Sequence, residues 1–262
     1  MTAISATGGG SLRWAVADTL VLTGRCLRHW VRQPQLLVLS TIQPVMLVLL
    51  FTQVFGGSVD TPGLRYVDYL VPGVIVQVVA WDSAQTAVAL AADVASTTID
   101  RFRTLPMAQA APLAGRTLAD AVRSLVVVLI MLGVGHAVGF RVHGGVGGMV
   151  AAVALVVAFG YALTWLFAYV GLTAGGAESA MAAGVVVVFP LMFASSALVP
   201  TQTLPEWLRP IAQHQPLTQV IDAARALLHG QPPGTALLGA MAWTVGLLAV
   251  SVPLALRRYF RR

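Results

Sequence analysis

Residues 146–174 read VGGMVAAVALVVAFGYALTWLFAYVGLTA, twenty-nine positions without one charged side chain. About twenty apolar residues in a helix cross the roughly 30 Å of hydrocarbon in a bilayer. Backbone polar groups find no water there, so a spanning stretch must be helical. The same pattern recurs over 36–55, 66–92, 118–140, 179–198 and 236–256, which predicts six spans. Hydrophobic residues make up 57% of the 262 and charged residues 10%, and mean hydropathy is +0.81. Soluble domains carry about 25% charged residues, so this composition cannot cover a water-facing surface. The chain reads as an all-α polytopic membrane protein.

All sixteen basic residues are arginine. Without lysine there is no Walker A loop to hold nucleotide phosphates and no Schiff-base lysine, so the chain is not itself an ATPase. Cys26 stands alone, which excludes an internal disulfide or a multi-cysteine metal site. The five histidines show no H-E-x-x-H spacing, and no serine sits in G-x-S-x-G. No catalytic or metal-binding residue is expected. The net charge of +6 comes from arginines flanking apolar segments, which points to membrane topology and not to nucleic acid.

Residues 1–11 are small and polar and read as a disordered N-terminus; 12–262 form a single transmembrane domain. Within it, 12–33 is amphipathic. Asp18, Arg25, Arg28 and Arg32 fall on one stripe and Val16, Leu20, Leu27, Trp30 and Val31 on the other, a pattern suited to a helix in the membrane interface. The first apolar run follows Arg32, is long enough to span and has no A-x-A motif after it, so it reads as a span and not as a cleaved signal. Twelve arginines, Arg123 counted among them, fall on the side of both termini and the 93–117 loop, and three on the other. The positive-inside rule then makes both termini cytoplasmic.

Two loops stand out. The 93–117 loop contains Asp100-Arg101-Phe102-Arg103-Thr104-Leu105-Pro106-Met107 and, further on, Leu113-Ala114-Gly115-Arg116-Thr117-Leu118-Ala119-Asp120. Aromatic residues and arginine are enriched at interface centres, so a docking surface is one reading; a solvated loop with snorkelling arginines is the other. On the outer side, 199–229 holds Pro200, Pro205, Pro210 and Pro216, which predicts short broken helices or a plain loop. Inside the spans, Gln77, Trp81 and Gln85 recur at four-residue spacing, and Phe189, Phe193 and Ser196 are expected to share a face of the fifth span. Intramembrane polar groups are functional candidates; helix packing accounts for them equally. Asp82 points away from Trp81 toward a neighbouring helix, and Glu178 begins the fifth span, where either could act in gating.

The Asp-Arg-Phe-Arg-Thr-Leu-Pro-Met run, the Leu-Ala-Gly-Arg-Thr-Leu-Ala-Asp continuation and the later Leu-Pro-Glu-Trp-Leu-Arg-Pro…His-Gln-Pro-Leu-Thr…Ala-Arg-Ala-Leu stretch together resemble the ABC-2 permease family, in particular its daunorubicin/doxorubicin-resistance branch. The resemblance covers nearly the whole chain. It implies the type V exporter-like fold: an interface helix, six spans and short re-entrant helices before the last. It also implies a permease subunit of an ATP-driven exporter in the bacterial plasma membrane, paired with a second copy or paralogue and with separate ABC ATPases that bind ATP and Mg. Asp100, Arg101, Phe102, Arg103, Leu105 and Pro106 map onto the family's coupling helix, and Arg25, Arg28 and Arg32 onto its connecting helix. Many members carry a Glu-rich coupling segment where this one is Arg-rich. Gln77, Trp81, Gln85, Phe189, Phe193 and Ser196 map to the pathway of a hydrophobic drug or lipid. The competing expectation is an ATPase-independent channel or assembly scaffold.

Overall fold

The computed structural model describes residues 12–32, 34–55, 64–96, 108 and 110–261. Among them the regular elements are helical. In chain order these are α1 (Leu12–Val31), α2 (Pro34–Phe55), α3 (Tyr66–Ala95), α4 (Ala111–Val138), α5 (Gly145–Thr173), α6 (Ala177–Phe193), a 3-10 turn (Thr201–Thr203), α7 (Arg209–His214), α8 (Pro216–His229) and α9 (Gly234–Arg261). The N-terminal 1–11 segment and the 100–106 part of the expected coupling loop lie outside the described residues.

α3, α4, α5 and α9 are each long and apolar enough to cross a bilayer. α2 runs for 22 residues, and the apolar α6 is shorter, with 17. At 1.5 Å per residue α6 is about 25 Å long, short of the hydrocarbon thickness. The fifth span was expected to reach residue 198; instead the helix ends at Phe193, three residues after Pro190, and non-helical chain continues to Pro200. α3 and α4 conversely extend into the expected 93–117 loop. Pro112 sits in the first turn of α4, where its missing N–H is not needed, and Arg116 pairs with Asp93 across the two extensions.

α3 is the central helix, its most apolar window 67% buried against 17–33% for the other three long spans. It packs against α2, α4, α5, α6 and α8. Apolar surface left on the outer helices is what a lipid-facing chain presents. α8 is no surface loop helix either: Leu217, Val220, Ile221, Ala224, Arg225 and Leu228 are buried between α3, α5 and α9. Glycines in the left-handed region, Gly139 (φ 107°) and Gly230 (φ 70°), end α4 and α8. At the other end of the bundle, Leu90, Leu113, Trp165, Leu172, Ala255 and Tyr259 form a second core, in which α5 joins the last turns of α9 to the end of α3 and the start of α4.

Close approach depends on glycine at two points along α3. A Cβ on Gly73 would stand 2.5 Å from the Ala197 carbonyl oxygen, and one on Gly171 of α5 would stand 2.5 Å from that of Ala87. Gly139 and Gly175, each four residues after a glycine that packs on α3 (Gly135 and Gly171), do not meet α3 themselves. Gly171→Leu is therefore expected to wedge α5 from α3 at a cost of about 1–3 kcal/mol, read as a lower thermal midpoint in detergent, while Gly175→Ala changes it little.

Candidate functional site

The expected faces of α3 and α6 do meet. The Trp81 and Phe189 rings touch edge to face with centroids 5.9 Å apart, and Phe189 lies 5.5 Å from Phe193. Phe189 and Phe193 remain open on the outside of the isolated chain, so α6 presents an aromatic edge to whatever lies beside it. Gln77 is turned inward and donates to the Met192 carbonyl at 3.2 Å, and Gln85 is half-buried. Ser196 does not share the phenylalanine face. The helix has ended by then, and Ser196 is 3% exposed, its hydroxyl donating to Asp222 at 2.6 Å.

The reason is visible in the backbone after α6. A helix end leaves carbonyls without intrahelical donors, and here side chains of α3 and the α8 segment supply them. Gln215 donates to the carbonyls of Leu191 (3.0 Å) and Ala194 (2.6 Å). Tyr69 and Arg225 both donate to that of Ser196 at 2.8 Å, and Tyr66 donates to that of Leu198 at 3.2 Å. Arg225 is buried. Its guanidinium lies 3.7 Å from the Tyr69 ring centroid, donates to the Tyr69 carbonyl at 3.2 Å, and pairs with Asp222 at 2.7 Å. Arg225 is the sixteenth arginine, left out of the twelve-against-three count because it lies in the 199–229 segment. The signal was present: with Leu217, Ile221, Ala224 and Leu228 it lies on the apolar stripe of an amphipathic helix, where an arginine must find partners.

A second polar constellation joins α3 to α4. Arg123 Nε lies 3.3 Å from Asp82 Oδ2 and Arg123 Nη2 lies 3.9 Å from Asp120 Oδ1. Thr86 donates to Asp120 at 2.9 Å, and Asp93–Arg116 continues the series toward the 97–107 segment. The sequence tally that put Arg123 on the cytoplasmic surface is corrected here: it sits mid-helix inside the bundle, leaving eleven arginines against three. α1 closes this end. Asp18 accepts the backbone N–H of Ala108 at 3.0 Å, Thr23 donates to the Gly115 carbonyl at 3.1 Å, and Leu22 packs on Gly115. Arg25, Arg28 and Arg32 are exposed, as is Glu178 in the first turn of α6. Asp100, Arg101, Phe102, Arg103, Leu105 and Pro106 are outside the described residues. Elsewhere, the His143 and His229 rings come within 5.8 Å, and among the described residues no group of three or more His, Cys, Asp or Glu could hold a metal.

Removing one partner of a buried ion pair leaves the other charge uncompensated. Arg123→Ala is expected to destabilise the chain by about 3 kcal/mol, measured as a drop in thermal midpoint and in monodisperse yield. Asp82→Asn combined with Arg123→Gln recovers most of the loss.

Comparison with known sequences identifies the family. Residues 17–229 match the family described as ABC-2 type transporter. The chain is 33% identical over 258 residues to the daunorubicin resistance ABC transporter permease protein DrrB1 of Streptomyces coeruleorubidus, covering 98% of this chain and 91% of that protein. It is 31% identical over 253 residues to the probable doxorubicin resistance ABC transporter permease protein DrrC of Mycobacterium tuberculosis, covering 93% and 89%. A second M. tuberculosis protein, the doxorubicin resistance ABC transporter permease protein DrrB, is 27% identical over 177 residues, covering 68% and 61%. The profile match and the near full-length similarity make this chain a member of the ABC-2 type transporter family, a multi-pass membrane permease.

Proposed function

We propose that the chain is the membrane subunit of an exporter for hydrophobic or amphiphilic compounds, driven by ATP hydrolysed in a separate subunit. The observation that carries the substrate class is the aromatic edge of Trp81, Phe189 and Phe193 between α3 and α6. Apolar rings with few polar groups suit a large amphiphile. The relatives named for daunorubicin and doxorubicin resistance support the same reading. A chain without lysine supplies no phosphate-binding loop, so ATP and Mg belong to the partner. The transporter works by differential stabilisation of inward- and outward-open states, with a second copy or paralogue completing the pathway across the exposed α6 face.

Coupling is assigned to Asp100, Arg101, Phe102, Arg103, Leu105 and Pro106, with Arg25, Arg28 and Arg32 on α1 at the ATPase surface. Support comes from α1, which docks on the start of α4 through Ala108 and Gly115 while its arginines remain exposed. Asp82 and Glu178 are assigned to gating, Asp82 through its pairing with Arg123. Both termini are placed in the cytoplasm by the excess of arginine on their side.

Affinity purification of the tagged chain from its native host is expected to bring down a stoichiometric ABC ATPase, and the double substitution Phe102→Ala/Arg103→Ala to cut that recovery about tenfold. Recovery of the chain alone, or an unaffected complex, would turn the assignment toward a channel or scaffold. In the reconstituted complex, Phe193→Ala is expected to lower stimulation of ATP hydrolysis by an amphiphilic substrate several-fold without changing the basal rate. Equal stimulation across several substrates would remove the α3–α6 face from the pathway.

A further inference from the structure

The non-helical chain after α6 is held by a set of bonds that share one geometry. The carbonyls of Leu191, Met192, Ala194, Ser196 and Leu198 each accept a hydrogen bond from a side chain of α3 or of the α8 segment: Gln215, Gln77, Gln215 again, Tyr69 with Arg225, and Tyr66. If this end of α6 parted from α3 and α8, these acceptors would be stripped together. Such an end is bistable, because releasing one bond gains nothing until the rest follow. Arg225 occupies the centre of the set. It touches α3 through the Tyr69 ring and carbonyl, the chain after α6 through the Ser196 carbonyl, and its own helix through Asp222. Asp222 in turn accepts from the Ser196 hydroxyl. Behind this cluster, Ser195 is 2% exposed and Ala197 is packed on Gly73.

We propose that Arg225 is the latch of the seam between α3, α8 and the chain after α6: a positioning residue that holds this end of the pathway shut and whose release opens it. Lysine cannot replace it, since the site uses a planar guanidinium that stacks on a ring while donating in three directions. The proposal rests on the transport reading for which face of the membrane the seam closes; the seam itself is independent of that reading.

The test uses the full chain in membranes. Cys26 is the single cysteine, so Cys26→Ser gives a silent background into which Ser195→Cys is placed as a near-isosteric reporter. Ser251→Cys, buried in the other half of the bundle, serves as the fold control. A membrane-impermeant maleimide is applied to intact cells and to inverted vesicles. With Arg225 present both reporters are expected to be protected. Arg225→Gln is expected to raise labelling at position 195 about tenfold or more, with position 251 still protected, and Arg225→Lys to fall between. Tyr69→Phe removes one donor to Ser196 while keeping the ring, and is expected to raise labelling at 195 by a smaller factor. Unchanged labelling at 195 in Arg225→Gln overturns the latch. So does equal labelling at 195 and 251 in Arg225→Gln together with an unchanged 195 in Tyr69→Phe, because the arginine would then only hold the fold. Labelling that rises from inverted vesicles alone keeps the latch but reverses the sidedness assumed for the transporter.

Discussion

The last carbonyls of a helix have no intrahelical donors and, when buried, need partners from the protein, and the end of α6 is where this chain meets that demand with side chains. α6 stops being helical at Phe193, after 17 residues. Tyr66, Tyr69, Gln77, Gln215 and Arg225 therefore carry the hydrogen bonding that a longer helix would have supplied from its own N–H groups. Buried non-helical chain needs enclosing protein to satisfy its backbone, and α8, packed inward against α3, supplies part of that enclosure. The burial of Arg225, the inward turn of Ser196 and the placing of the Pro-rich segment all follow from that requirement.

α3 carries two different kinds of contact on its two flanks. Toward α5 and the chain after α6 it uses small residues: Gly160 and Gly171 of α5 and its own Gly73 permit near-backbone contact. In a membrane, where apolar burial gives little driving force between helices, such close packing supplies much of the association. Toward α4 it uses charge, with Asp82, Thr86 and Asp93 facing Arg123, Asp120 and Arg116. Close packing resists sliding, whereas an ion-pair series fixes register. The charged series ends near the start of α4, where α1 also docks through Ala108 and Gly115.

The molecule thus separates its two ends. One collects the last turns of α3 and α9, the start of α4 and the arginine face of α1. The other is closed by side chains over the end of α6. The aromatic edge of Trp81, Phe189 and Phe193 lies between them, on a helix that is pinned at one end and begins at the other with the Gly175-Gly176 turn.

The sequence by itself determined that the chain is helical and spans a membrane, because a charge-free stretch of this length has no other way to satisfy its backbone. It also determined where the long helices run, to within a few residues at most ends, and that ATP cannot be bound by a lysine-containing loop of this chain. Four-residue spacing showed that Gln77, Trp81 and Gln85 share one face of α3 and that Phe189 and Phe193 share one face of α6; that the two faces meet came from the resemblance and the fold. Only the tertiary structure decided that Arg123 is internal, that Ser196 leaves the phenylalanine face, and that Arg225 lies at the centre of the closed end. Periodicity reports which residues share a helix face but not which helix stands opposite. The partners of Arg123 lie on another helix, those of Ser196 on α8, and those of Arg225 on three segments far apart in sequence. A polar residue in an apolar stripe announces that partners exist; the fold alone says which they are.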